Sequence, residues 1–231
     1  MAFDGWEIRV CYNEAMVVKR RKSYKETFRE YLEKGVKLER WQKVGVLFLV
    51  VVIAGFMGWL YEFVFYFFDG GMTEWYMQGG NLLPWINIYA IGAILIVVTT
   101  YKLRRWPWMV FLVSVLVTGA LELVGGWLVY TIGDGTRYWD YNTEILNFGN
   151  IGGFVCLRSV LVFGVSALFL MYLVVPFCVW LAQRMSKRAF LTLAVGLFAV
   201  VMADEVVNLT LKNLDLPTAM DFYRSLGLKY K

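Results

Sequence analysis

The chain has 231 residues, of which 59% are hydrophobic and 18% are charged. Soluble globular chains are about 45–50% apolar, so this composition indicates a membrane protein and excludes a soluble enzyme, a nucleic-acid-binding module and a disordered linker. The absence of histidine, together with three cysteines that show no CxxC spacing, excludes the usual metal sites and Ser-His or Cys-His nucleophiles, so we expect no metal and no cofactor.

The first 43 residues form a polar, basic segment without the early apolar core of a signal peptide. Tyr24, Phe28 and Tyr31 recur at helical spacing among lysines and arginines, which predicts a basic amphipathic helix lying on the inner leaflet. We expect this helix to bind anionic lipid headgroups, although a solvated orientation signal without a partner fits the same pattern. Membrane topology already explains the basic residues, and we therefore expect no nucleic acid partner.

Five apolar stretches offer the roughly 20 residues that a helix needs to cross about 30 Å of hydrocarbon. They are residues 44–68, 82–101, 106–132, 151–182 and 189–211. The fourth is too long for one straight crossing, so we expect a bent start at residues 150–153 and a kink at Pro176. The fifth is the weakest, because Asp204 and Glu205 interrupt it. The pattern predicts an all-α, polytopic membrane helix bundle of about five transmembrane helices.

The charges divide the chain into a basic segment at 1–43, a four-helix membrane core at 44–188 and a fifth helix with a polar tail at 189–231. Most of the 23 basic residues lie in the first segment and in two short loops around 102–105 and 184–188. By the positive-inside rule these parts face the cytoplasm, which predicts a multi-pass protein of the cell inner membrane with a cytoplasmic N-terminus. The two acidic loops then face outward, and five crossings place the C-terminal tail there too.

Three ionisable residues, Glu62, Glu122 and Arg158, lie inside the predicted membrane helices. A charge at the centre of such a helix costs about 2.5 to 3.5 kcal/mol, so each of them needs a partner, a wet cavity or a proton. Gly58, Glu62 and Tyr66 share one side of the first helix, and glycines on such a face let helices pack closely. We expect Glu62 and Arg158 to lie at a similar depth below the outer surface.

These residues predict an outward-facing polar cavity lined by Glu62, Glu122 and Arg158. The outer loop supplies the other candidate ligands for a substrate or ion, which are Trp139, Asp140, Tyr141 and Asn150. A dry, ion-paired brace that only locks the helices together is an equal alternative. We identify no catalytic residue in the sequence.

Several short motifs occur in an order that resembles one family. They are Gly58-Trp59-Leu60-Tyr61-Glu62, Pro84-Trp85-Ile86-Asn87-Ile88-Tyr89, Glu122, Trp139-Asp140-Tyr141, Asn150-Ile151-Gly152-Gly153 and Phe163-Gly164. Over residues 44–188 the chain resembles the bacterial family described as putative ABC-transporter type IV, or CmpB-like, and it is similar to the animal transmembrane protein 229 family. The resemblance implies a permease. No GxxxxGK[ST] segment is present, so an ATPase would be a separate subunit.

The chain departs from the family pattern mainly where that pattern has arginines. Met77-Gln78-Gly79 stands in place of Asn-Arg-Gly, and Phe154 stands in place of a second arginine. If the family arginines bind something anionic, Arg158 is the nearby substitute, one helical turn further on.

Three functions remain open at this stage. The leading hypothesis is a permease-like or transport-associated protein. A membrane-embedded lipid-modifying enzyme would use Glu62, Glu122 or Asp140 as acid or base and Arg158 to hold a headgroup phosphate, although the chain shows no recognisable nucleophile constellation. An accessory or structural subunit of a membrane complex would have no substrate of its own.

Overall fold

The computed structural model describes residues 22–133 and 135–230. Residues 1–21 of the predicted basic segment, Asp134 and Lys231 lie outside the described residues. The helices are α1 (Tyr24–Glu33), α2 (Arg40–Asp69), α3 (Asn87–Thr100), α4 (Pro107–Ile132), α5 (Leu157–Phe169), α6 (Val175–Arg184), α7 (Lys187–Asn213) and α8 (Ala219–Ser225). Two short strands, β1 (Tyr76–Met77) and β2 (Lys229–Tyr230), pair in parallel. The prediction of an all-α membrane helix bundle is confirmed.

Four continuous helical segments in the described part of the chain are long and apolar enough to cross a membrane. They are Arg40–Asp69, Pro107–Ile132, Leu157–Arg184 and Lys187–Asn213. The second predicted crossing is shorter than expected, because residues 82–86 are not helical and the apolar helix covers only Asn87–Leu103. At 1.5 Å per residue this helix spans about 25 Å, slightly less than the hydrocarbon core.

The fourth crossing departs from regular α-helix near the two places where the sequence predicts a bent start and a kink. Residues 151–155 form a tight turn closed by a bridge between Ile151 and Val155, so the helix begins at Leu157 rather than at 151. A π-helical turn, Leu170–Val174, joins α5 to α6 just before Pro176. Proline has no backbone N–H for the preceding turn, and the wider turn accommodates that lost hydrogen bond.

The acidic pair in α7 binds the segment that precedes α3. The carboxylate of Asp204 accepts hydrogen bonds from the backbone N–H groups of Leu82 (3.2 Å) and Leu83 (2.7 Å). Glu205 accepts a hydrogen bond from the side-chain amide of Asn87 (2.9 Å). These donors stabilise both charges, so α7 continues through them as a full-length helix. The bonds to Asp204 hold the segment before Pro84 in a non-helical conformation, and α3 begins at Asn87.

The N-terminal helix and the C-terminal tail lie at opposite ends of the bundle. We call the end that carries α1 and the turn between α3 and α4 the basic end, and the end that carries residues 70–86 and 135–156 the loop end. The tail lies at the loop end, where β2 pairs with β1 and Lys229 forms an ion pair with Glu74. This placement is the one that five crossings require.

The predicted amphipathic helix forms as α1 and begins with a capping box between Ser23 and Glu26. Its buried face packs on protein, because the hydroxyl of Thr27 donates to the side chain of Gln183 (3.1 Å) and Tyr31 is fully buried. The buried side of α1 therefore contacts the bundle. The binding of anionic headgroups by its exposed basic residues stays a prediction.

Helices α2 and α3 approach closely because α2 carries glycine at the crossing. A Cβ atom on Gly58 would lie 2.1 Å from Cγ of Tyr89, and one on Gly55 would lie 2.1 Å from Nε1 of Trp85. No side chain fits at either position without displacing an aromatic ring. The close approach lets the Tyr89 hydroxyl reach α2, which matters for the site below.

We predict that Gly58→Ala lowers the free energy of unfolding by about 1–3 kcal/mol, because the added methyl group overlaps Tyr89. The measurement is reversible unfolding in detergent micelles. Gly125→Ala is the matched control, since a Cβ on this α4 glycine would meet no atom within 4 Å. Equal stability of the two variants would contradict the packing described for α2 and α3.

Candidate binding site in the membrane

A small polar cavity lies between α2, α3 and α5, under the loop at residues 135–156. Its volume is about 30 Å³, enough for one or two water molecules. Its polar lining residues are Tyr61, Glu62, Tyr66, Tyr89, Tyr141, Glu144, Arg158 and Ser159. The helices supply most of this lining, and the loop contributes Tyr141 and Glu144.

Arg158, in the first turn of α5, forms a buried ion pair with Glu144. Its Nη2 lies 2.5 Å from Oε2 of Glu144, and the two side chains are only 9% and 4% exposed. The Tyr66 hydroxyl donates to the other carboxylate oxygen of Glu144 (2.8 Å). The guanidinium lies over the ring of Phe65, 4.0 Å from its centroid. The pair therefore joins the loop to α5 and α2.

Glu62 occupies the α2 wall of the cavity and accepts a hydrogen bond from the Tyr89 hydroxyl on α3 (2.9 Å). Within residues 22–133 and 135–230, the ion pair of Arg158 is with Glu144 and not with Glu62. Glu62 and Arg158 nevertheless line the same cavity.

Glu122 lies on α4, behind the cavity wall, and is 4% exposed. Its carboxyl group contacts the hydroxyls of Ser159 (2.6 Å) and Tyr141. Burial, and then the neighbouring Glu122 carboxylate, raise the pKa of Tyr141 far above its usual range. Tyr141 therefore keeps its proton and acts as a hydrogen-bond donor to Glu122.

The other loop candidates hold the loop together and do not line the cavity. The indole N–H of Trp139 donates to the carbonyl oxygen of Phe154 (2.8 Å). Asp140 accepts hydrogen bonds from the backbone N–H (3.0 Å) and side-chain amide (2.7 Å) of Asn142. The Asn150 amide in turn donates to the side-chain oxygen of Asn142 (2.8 Å). These residues position Tyr141 and Glu144.

Five polar residues of the site were not among the sequence candidates: Tyr61, Tyr66, Tyr89, Glu144 and Ser159. Tyr61 lies in the first motif of the family resemblance, and Tyr66 lies on the face of α2 that carries Gly58 and Glu62. Tyr89 belongs to a motif of the family resemblance, and Ser159 follows Arg158 directly, so both had a usable signal. No sequence feature marked Glu144, because it lies in a polar loop. The fold of that loop determines whether the Glu144 carboxylate contacts water or Arg158.

The charges around the cavity do not balance. Three carboxylates, those of Glu62, Glu122 and Glu144, surround the single guanidinium of Arg158. Since Glu144 already neutralises Arg158, the remaining carboxyl groups need protons or a cation. The idea that Arg158 binds an anion in place of the family arginines is therefore disfavoured by its surroundings.

Long apolar helices around a buried polar cluster define the class of multi-pass membrane proteins. A family model described as "Putative ABC-transporter type IV" matches residues 48–209, more than two thirds of the chain. The chain belongs to this family. The match extends beyond residue 188, which was the end of the resemblance seen in the sequence motifs. It therefore includes Asp204 and Glu205. No curated protein and no solved structure matches the chain.

Proposed function

We propose that the protein is a permease-like membrane protein whose binding site is the polar cavity and whose solute is a small cation. The observation that carries this proposal is the excess of carboxylates over cations around the cavity. Buried like charges repel strongly in a medium of low dielectric, so a cation or a proton between them is favourable and an anion is not.

The aromatic lining supports the same class of solute. The lining of the cavity includes four tyrosines, Tyr61, Tyr66, Tyr89 and Tyr141, which carry hydroxyl groups and aromatic rings. Hydroxyl oxygens accept contacts from cations, and aromatic ring faces attract them electrostatically. A cavity of about 30 Å³ has room for water or a monovalent ion, so a larger solute requires the site to widen.

The loop end is the proposed route into the site. The loop at residues 135–156 covers the cavity and contributes Tyr141 and Glu144 to it. Movement of this loop would separate Glu144 from Arg158 and uncover Glu62. We place the basic end in the cytoplasm by the positive-inside rule, so the route opens to the outside of a cell inner membrane.

The test is ion flux into proteoliposomes, with Na⁺, K⁺ and methylammonium as the probes. We expect uptake of at least one probe, and we expect Glu62→Gln to reduce it at least tenfold, on the order of 1.4 kcal/mol or more in barrier height. Glu33→Gln, an exposed glutamate of α1, is the control and should match the unchanged protein. Folded protein that carries none of the probes, or uptake that survives Glu62→Gln, would overturn the proposal.

The two other functions predict different results. A lipid-modifying enzyme would convert purified lipid in detergent without any gradient. An accessory subunit would produce no flux alone and would copurify with an ATPase or another membrane subunit.

A further inference from the structure

Two hydroxyl groups connect Glu122 to the cavity. Tyr141 and Ser159 both line the cavity, and both contact the Glu122 carboxyl group, Tyr141 at Oε1 and Ser159 at Oε2. The Ser159 Oγ atom also lies 2.9 Å from the carbonyl oxygen of Cys156. Glu122, Tyr141 and Ser159 thus form a network of polar contacts from α4 to the cavity.

The number of hydrogen atoms available to these polar contacts indicates the protonation state of Glu122. Three contacts join Tyr141 to Glu122, Glu122 to Ser159, and Ser159 to the Cys156 carbonyl, and each needs one hydrogen. The two hydroxyls supply one hydrogen each, and a carbonyl oxygen can only accept. The third hydrogen is present when the Glu122 carboxyl group is protonated and donates to Ser159.

The ionised form of Glu122 is also accommodated without movement of a helix. In that state Ser159 donates to Glu122 instead of to Cys156, and Tyr141 donates as before. One hydroxyl reorientation therefore separates the two states. Both states keep Glu122 hydrogen-bonded, which a buried carboxyl group requires.

We infer that Glu122 is a proton-binding site and that Ser159 relays its proton to the cavity. The inference rests on the proposed function and names its coupling ion. In the release step, the Ser159 hydroxyl first turns from the Cys156 carbonyl to a cavity water. The Glu122 proton then passes to Ser159 Oγ as Ser159 gives its own proton to that water, which becomes hydronium. Ser159 then donates to the carboxylate that remains, so every proton is accounted for.

The charged groups that face Glu122 couple this step to the solute. They are Glu62 on α2, Glu144 in the loop and Arg158 on α5, and the titratable Tyr141 touches Glu122 directly. The two glutamates oppose ionisation of Glu122, whereas Arg158 favours it. A cation that enters the cavity adds to the effect of Arg158, so its binding promotes release of the proton. The protein would exchange a proton for a cation.

Infrared spectroscopy of the protein in lipid nanodiscs, titrated from acidic to alkaline pH, tests the proton site. We expect a carbonyl stretching band of a protonated carboxylic acid that disappears in Glu122→Gln. In Ser159→Ala the band should remain and shift in frequency, because it loses a hydrogen-bond partner. Glu33→Gln is the control and should leave the band unchanged. Glu122→Asp, which keeps a carboxyl group, replaces Glu122→Gln if the latter fails to fold, and its band should differ in frequency from that of the unchanged protein.

A spectrum in which neither Glu122 variant alters a carboxylic acid band at any pH would overturn the proton site. An unshifted band in Ser159→Ala would overturn the relay. The outcome is separable from that of the proposed function. Cation flux without a Glu122 band would leave the permease proposal intact, whereas a Glu122 band without cation flux would leave only the proton site.

Discussion

Arg158→Gln is expected to lower the free energy of unfolding by about 3–5 kcal/mol, because it leaves the buried carboxylate of Glu144 without its cation. Among the described residues, the Tyr66 hydroxyl is then the hydrogen-bond donor left to Glu144, and it does not compensate a buried charge. The measurement is reversible unfolding of the purified protein in mixed micelles. The large effect follows from burial, since the two side chains are only 9% and 4% exposed.

A second ion pair of the same chain provides the control. Lys229 and Glu74 are 57% and 43% exposed at the loop end, and Glu74→Gln should leave the stability close to that of the unchanged protein. The double variant of Glu144→Gln and Arg158→Gln should be more stable than Arg158→Gln alone, because it contains no unpaired charge. Strictly additive losses in the double variant would contradict the pairing.

Arg104→Ala is expected to release α1 from the bundle. Arg104 lies at the basic end and is buried, and its guanidinium donates to the carbonyl oxygens of Tyr31 (2.5 Å) and Tyr101 (2.6 Å). It also lies over both tyrosine rings, 5.5 Å and 4.4 Å from their centroids. Hydrogen bonds from a charged donor contribute about 1.5–3 kcal/mol each, so the substitution should cost about 3 kcal/mol.

Limited trypsin digestion measures this release, because Lys34 and Lys37 lie between α1 and α2. Cleavage there should be at least tenfold faster in Arg104→Ala than in Arg105→Ala, which removes the exposed neighbouring arginine. Arg104→Lys should not restore protection, since an ammonium group lacks the planar donors that reach two carbonyl groups. Similar cleavage rates in the two alanine variants would show that Arg104 does not hold α1.

Hydropathy alone predicted the positions of α2, α4 and α7 to within a few residues. Long apolar runs must be helical in a membrane, because lipid offers no hydrogen bonds to the backbone. The predicted start of α3 was wrong by five residues, because Pro84 and the hydrogen bonds that Leu82 and Leu83 donate to Asp204 hold the preceding segment outside the helix. Those bonds join residues more than a hundred positions apart, and no local pattern reveals them.

In the candidate site, too, the sequence predicted which residues matter, whereas their partners depend on long-range contacts. Glu62, Glu122 and Arg158 were recognisable from the sequence, because a charge inside an apolar run is costly and needs a partner. The identity of each partner depended on how the loop at 135–156 folds back over the helices. Only the tertiary structure pairs Arg158 with Glu144 and leaves Glu122 to the hydroxyls of Tyr141 and Ser159.

Composition and charge pattern by themselves determined that the chain is a polytopic helical membrane protein, because burial of apolar residues in lipid depends on their number and order along the chain. Tertiary structure decided which ionisable groups meet, which loop covers them and how many carboxylates surround one arginine. Electrostatic interactions and hydrogen bonds depend on distances in space, and these distances arise only when the helices pack.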